Sequence, residues 1–217
     1  MNKLFITSLL ILQGFMVIAQ EEAEYIQVMV NQKKAIKMAT TEKDFQDLAD
    51  NFARISTTAT DKWHPLYYAA FCCINKSFVA KEPEVKDNGL DQAQKYIDKA
   101  LEIYPEESEL WVLQGLLYQG KIQIDPMKRG KDFSQKANQA LNKAKSFNAE
   151  NPRAYYLLGL NALHTPKAFG GGPEAACPLF KSALEKFTTY IPDHVLSPGW
   201  GGEECDKQYS SNCLKSN

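Results

Sequence analysis

Residues 110–119 read LWVLQGLLYQ, and two other stretches share their pattern: LYYAAFCCIN at 66–75 and AYYLLGLNAL at 154–163. Aligned, the three are offset by 44 residues, so Tyr67, Trp111 and Tyr155 fall in one column. The same offset relates Ala49 to Ala93 and Ala137, Ile97 to Leu141, and Ala100 to Ala144. Several positions agreeing on one period between about 20 and 50 residues mark a stacked repeat, whose units bury their apolar faces only against one another.

Each unit reads as two helices. The stretches above form the first. The second runs through LDQAQKYIDKALEIYP, FSQKANQALNKAKSF and EAACPLFKSALEKF. Leu90, Ala93, Ile97, Ala100 and Leu101 keep helical spacing, as do Phe133, Ala137, Ala140, Leu141 and Ala144, so each second helix carries one apolar stripe. Pro105 closes one unit, Asn151-Pro152 opens another, and Asn88-Gly89 reads as a helix start before Leu90. Residues 20–61 read as a less regular helix pair that caps the stack. The units then span 62–105, 106–151 and 152–190, followed by a tail at 191–217.

These residues resemble the tetratricopeptide repeat (TPR). Trp111, Gly115 and Tyr118, and then Tyr155, Leu158 and Gly159, match its first helix; Ala93, Ala100 and Pro105, and then Ala176, Phe180 and Ala183, match its second. The resemblance implies an all-α, right-handed solenoid of antiparallel helix pairs. A standard repeat has 34 residues, so the excess is assigned to KEPEVKDNG, KIQIDPMKRGKD and TPKAFGGGP, between the helices of each unit. WHPLYYAA, DPMKRG, NPRAYYLLG, TPKAFGGGPEAA and SPGW together look like a family of small exported TPR-like proteins of Gram-negative bacteria, a resemblance that carries no established biochemical activity. FGGGPEAA is also similar to a turn in periplasmic TPR-like components of some solute transporters, which implies a ligand-binding accessory of solute uptake as the alternative function.

The N-terminus points to export. Lys3 precedes fifteen mostly apolar residues, Leu4 to Ile18, with small residues before a cut after Ala19. The expectation is a signal peptide over 1–19 and a mature chain in the periplasm or outside the cell. The stretch is shorter than the roughly 20 residues that span a bilayer, and no later one is apolar enough. With 25 basic and 26 acidic residues there is no field to draw nucleic acid. Among five cysteines, Cys72 and Cys73 read as buried hydrophobes, and Cys205 and Cys213 as the plausible disulfide in a polar tail.

No cysteine or histidine spacing suits a metal, no Walker or dinucleotide glycine pattern suits a cofactor, and no nucleophile stands beside a base motif. The expectation is a non-catalytic interaction module with a protein or peptide partner in the cell envelope. Five residues stand out as partner-binding candidates. Tyr68 and Tyr156 follow the column aromatics and point about 100° away from them, toward a groove. Arg129 and Arg153 either clamp a partner's carboxylate or tie a loop to a helix end. Trp200 in LSPGWGGEE either plugs the end of the stack or marks a docking point. Gly170, Gly171 and Gly172 read as a tight turn, with an anion-binding helix start as the other reading.

Overall fold

The computed structural model describes residues 20–214, and all regular structure among them is helical. The expected signal peptide lies outside the described residues. Helix α1 covers 20–36. It is followed by α2 (Glu42–Thr58), α3 (His64–Val79), α4 (Pro83–Ile103), α5 (Ser108–Ile124), α6 (Pro126–Phe147), α7 (Pro152–His164), α8 (Pro173–Thr189) and α9 (Gly202–Asn212). Consecutive helices joined by short turns pack as antiparallel pairs, and the pairs stack. No described helix is long and apolar enough to cross a membrane.

Local chemistry sets the helix starts. Thr41 Oγ1 accepts the Asp44 N–H while the Asp44 carboxylate accepts the Thr41 N–H, a reciprocal cap on α2. Helices α3, α4, α6, α7 and α8 have proline in their first two positions, where its missing N–H costs nothing. Trp63, Glu107 and Asn151 are the N-caps of α3, α5 and α7 and stand one period apart.

First and second helices differ in burial. Helix α3 buries ten residues on all its faces, whereas α4 buries one stripe, Gly89, Leu90, Ala93, Ile97 and Ala100. The first helices are therefore covered on both sides. Gly115 and Gly159, one period apart, allow the close approach within a unit: a Cβ there would lie 2.6 Å from Leu141 and 2.6 Å from Phe180 respectively.

The structure corrects three expectations. The excess residues of the first two units are not loops: α4 begins at Pro83 rather than after Asn88-Gly89, and α6 begins at Pro126, so the second helices are one to two turns longer. Gly89 lies inside α4, where a Cβ would stand 2.4 Å from Ser77 Oγ. Only the third unit keeps an irregular insert, a 3-10 turn at Lys167–Phe169 followed by Gly170 and Gly172 at positive φ.

Second, the tail is not irregular throughout, because residues 202–212 form α9, packed on α8. Third, the disulfide joins Cys177 to Cys213, while Cys205 is buried with its thiol near the Phe180 carbonyl. On one helix, eight residues separate Cys205 and Cys213 by about 12 Å of rise, beyond the reach of a disulfide. Cys72 and Cys73 are free and fully buried, and burial pushes the Cys73 thiol up to about 12.

Candidate functional site

Between α8 and α9 the chain runs back along the first helices as a strap, residues 190–201. Four successive strap carbonyls are caught by side chains. Lys33 Nζ on α1 donates to Val195 O at 3.0 Å and Ser197 O at 2.5 Å. Tyr68 Oη on α3 donates to Leu196 O at 2.7 Å, and Arg153 Nη2 on α7 donates to Pro198 O. Trp200 Nε1 then donates to Tyr67 Oη at 2.8 Å, with its ring stacked on Phe71. Leu196 is fully buried in the core cluster to which α1 to α5 contribute. The strap closes a turn on itself, with Ser197 N–H on His194 O and Leu196 N–H on His194 Nδ1.

Beneath the strap lies a buried charge pair. Arg153, 1% exposed, donates from Nη1 to Glu109 Oε1 at 2.9 Å. Asn151 Nδ2 donates to the same oxygen and to Ser108 Oγ, each at 2.9 Å. Phe187, Tyr190 and Trp200 present their rings to the guanidinium. Glu109 Oε2 and Arg153 Nε are buried without a protein partner. Burial pushes the Glu109 carboxyl up to about 7, with the Arg153 charge opposing.

A cleft of about 380 Å³ opens between the N-caps Trp63, Glu107 and Asn151 and the strap residues Tyr190, Ile191 and Asp193. Its charged lining is mainly acidic, with Glu107, Glu109, Glu150 and Asp193 against Lys186, which already holds Glu150 at 2.8 Å. Burial pushes the Glu107 carboxyl above its ordinary range. Beside the cleft, His64 stacks on Trp63 and faces His194, and burial lowers its imidazole to about 4. Among the described residues no cluster of three potential metal ligands occurs.

The two shifts act on stability in opposite directions. Glu109 holds its proton more tightly in the folded chain, so its contribution is present below the unfolded value near 4.5 and is lost as pH rises through about 7. His64 holds its proton less tightly, so its contribution is present above about 6.5 and is lost as pH falls through about 4. Melting temperature is expected to change little between pH 4.5 and 6.5. Glu109→Gln unmasks a fall toward acid and His64→Asn unmasks a rise, each of roughly 5 °C in a thermal melt across that window.

The structure brings three of the five sequence candidates together. Tyr68, Arg153 and Trp200 all hold the strap, and Tyr68 is 2% exposed. Tyr156 is also buried, beside Phe180 and next to Gly201 where the strap enters α9. Arg129 stands apart, pairing both guanidinium nitrogens with Asp87, at 2.9 and 2.6 Å, while Lys121 binds Asp87 and Asp91. The Arg129 contact is the chief cause holding Asp87 at about 2. Arg129 thus ties α6 to α4, whereas Arg153 ties the strap to α7. Trp200 lies against Tyr67 and Phe71 of α3, on the inner face formed by the first helices. Lys33 and Glu109 are not among the sequence candidates, although Glu109 stands one period before Arg153.

No protein-family model and no curated protein matches the chain. Among solved structures it is similar to the HusA haemophore from Porphyromonas gingivalis, with a TM-score of 0.80 and 24% identity over 89% of this chain and 94% of that one. It is also similar to a thermophilic TPR protein from Thermus thermophilus, with a TM-score of 0.57 and 16% identity over 91% and 95% of the two chains. The fold is a TPR-like helical solenoid.

Proposed function

We propose that this chain is an exported carrier that binds a flat tetrapyrrole of the haem class in the periplasm or outside the cell. The likeness to a haemophore along 94% of that chain, closer than the likeness to the TPR protein, carries the reading. The inner face is filled by the strap, which directs a ligand to the outside of the stack. The start of α6 and the end of α7 lie at one edge of the stack, where Met127 is 95% and Phe169, in the turn that follows α7, 81% exposed, and His164 is also exposed. Thioether and imidazole groups are axial ligands for haem iron, and an exposed phenyl ring offers a flat apolar contact. Lys131 at the start of α6 supplies positive charge for ring carboxylates, with Lys128 and Lys167, which pair with Asp125 and Glu174 at the surface, beside it in sequence or on the neighbouring turn.

The test is a titration of haemin into the purified mature chain, followed by visible absorbance. A saturable spectral change is expected, weakened at least tenfold in a Met127→Ala/His164→Ala variant. A spectrum that never departs from that of free haemin rules the reading out. Saturable binding that ignores the double substitution removes the edge and keeps the carrier.

A second reading, a protein or peptide partner in the cell envelope, is favoured by the way the inner face grips main-chain carbonyls. In both readings the chain binds and does not catalyse.

A further inference from the structure

The geometry points to the inner face as a binding groove for a short turn-forming peptide segment, with residues 193–200 as its resident occupant. A segment of another exported protein, with an aliphatic residue two positions before a proline and an aromatic two after it, exchanges with the strap. The inference develops the peptide-partner reading and is independent of tetrapyrrole binding.

The mode of capture carries the argument. Carbonyls 195 to 198 all accept from side chains reaching from α1, α3 and α7, and a contact to a main-chain carbonyl is indifferent to the residue that bears it. The strap's own amides at 194, 196 and 197 are satisfied inside its turn, so the groove needs only donors, and Lys33, Tyr68 and Arg153 provide them. Selectivity comes from two seats. Leu196 is fully buried in the core cluster of α1 to α5, beside Tyr68, and Trp200 lies on Phe71 with its N–H on Tyr67. Between them Pro198 has no amide to satisfy. Val195 and Ile191, 56% and 86% exposed, are not read.

The resident can leave its seats without leaving the molecule. Its first end continues α8, and its second is held through α9 by the Cys177–Cys213 bond. Release of the strap uncovers Lys33, Tyr67, Tyr68 and Phe71 together on one surface.

The experiment uses the full mature chain and a fluorescein-labelled peptide with the sequence of residues 193–201. Leu196→Ala empties the main seat, and the peptide's leucine can fill the space. Fluorescence anisotropy is expected to show at least tenfold tighter binding to Leu196→Ala than to the unaltered chain. Binding is lost when the peptide carries aspartate in place of that leucine, and again when Lys33→Met is added to the protein. Folding is checked by circular dichroism. If Leu196→Ala does not fold, Trp200→Phe, which keeps a ring on Phe71 and frees Tyr67, is assayed in the same way. A folded variant that ignores the peptide, or one that takes the aspartate peptide equally well, overturns the proposal.

Discussion

Above the Glu109 titration, at pH 8, Arg153→Met is expected to lower the melting temperature by roughly 10 °C or more, since breaking a buried ion pair from one side costs about 3–5 kcal/mol and a domain of this size shifts about 2–4 °C per kcal/mol. The substitution keeps most of the side-chain volume and removes the charge. It leaves Glu109 in a site where one carboxylate oxygen already has no partner, and it frees Pro198 O from its donor. The loss therefore reflects a stranded acid more than the strength of the pair. Removing both charges is expected to recover much of it, so Glu109→Leu/Arg153→Met melts well above Arg153→Met alone. Arg153→Lys does not substitute, because a single ammonium cannot reach Glu109 and Pro198 in two directions as the planar fork does. A melt of Arg153→Met within about 2 °C of the unaltered chain contradicts this account.

Cys213→Ser is the second large effect. The Cys177–Cys213 bond closes a loop of 36 residues that contains the strap and all of α9. Loop-closure entropy assigns such a bond about 4 kcal/mol, so the variant is expected to melt roughly 10 °C lower. A reductant lowers the unaltered chain by the same amount and has no further effect on Cys213→Ser. Cys205→Ser should retain the response to reductant, since its thiol takes no part in the bond. Peptide mapping under non-reducing conditions provides the direct check: a Cys205–Cys213 fragment contradicts the assignment.

How much of this can be read from the sequence depends on how local each feature is. The period of 44 residues and the columns of Tyr67, Trp111 and Tyr155 are periodic signals, and they lead to the helix pairs. The extensions of α4 and α6 are hidden because Lys81-Glu82-Pro83 and Asp125-Pro126 look like loops. Proline and an acidic neighbour are equally a helix start, and Gly89 is accommodated inside α4 by its close approach to Ser77. The strap has no periodicity and no motif. Its place is decided by partners 45 to 164 residues away, which no local pattern encodes. The disulfide is obscured for a related reason: reading 202–212 as coil makes Cys205 and Cys213 look near, whereas a helix holds them apart. The Glu109–Arg153 pair does leave a trace, an acid and a base in one column on adjacent units. Comparing columns for likeness passes over it, and comparing them for complementarity finds it.

An open stack of repeats touches only its neighbours, so its end units fray alone and units can be added or removed with little penalty. The strap removes that freedom. It leaves the last helix pair and seats Leu196 and Ser197 on α3 and α1, so the two ends of the array are joined through one short segment. Its seats coincide only for a stack of this many units. An added or deleted repeat would move Lys33 and Tyr68 away from residues 195–197 by the thickness of a helix pair. The number of repeats is thus set by a closure condition, and the array is expected to melt as one cooperative body.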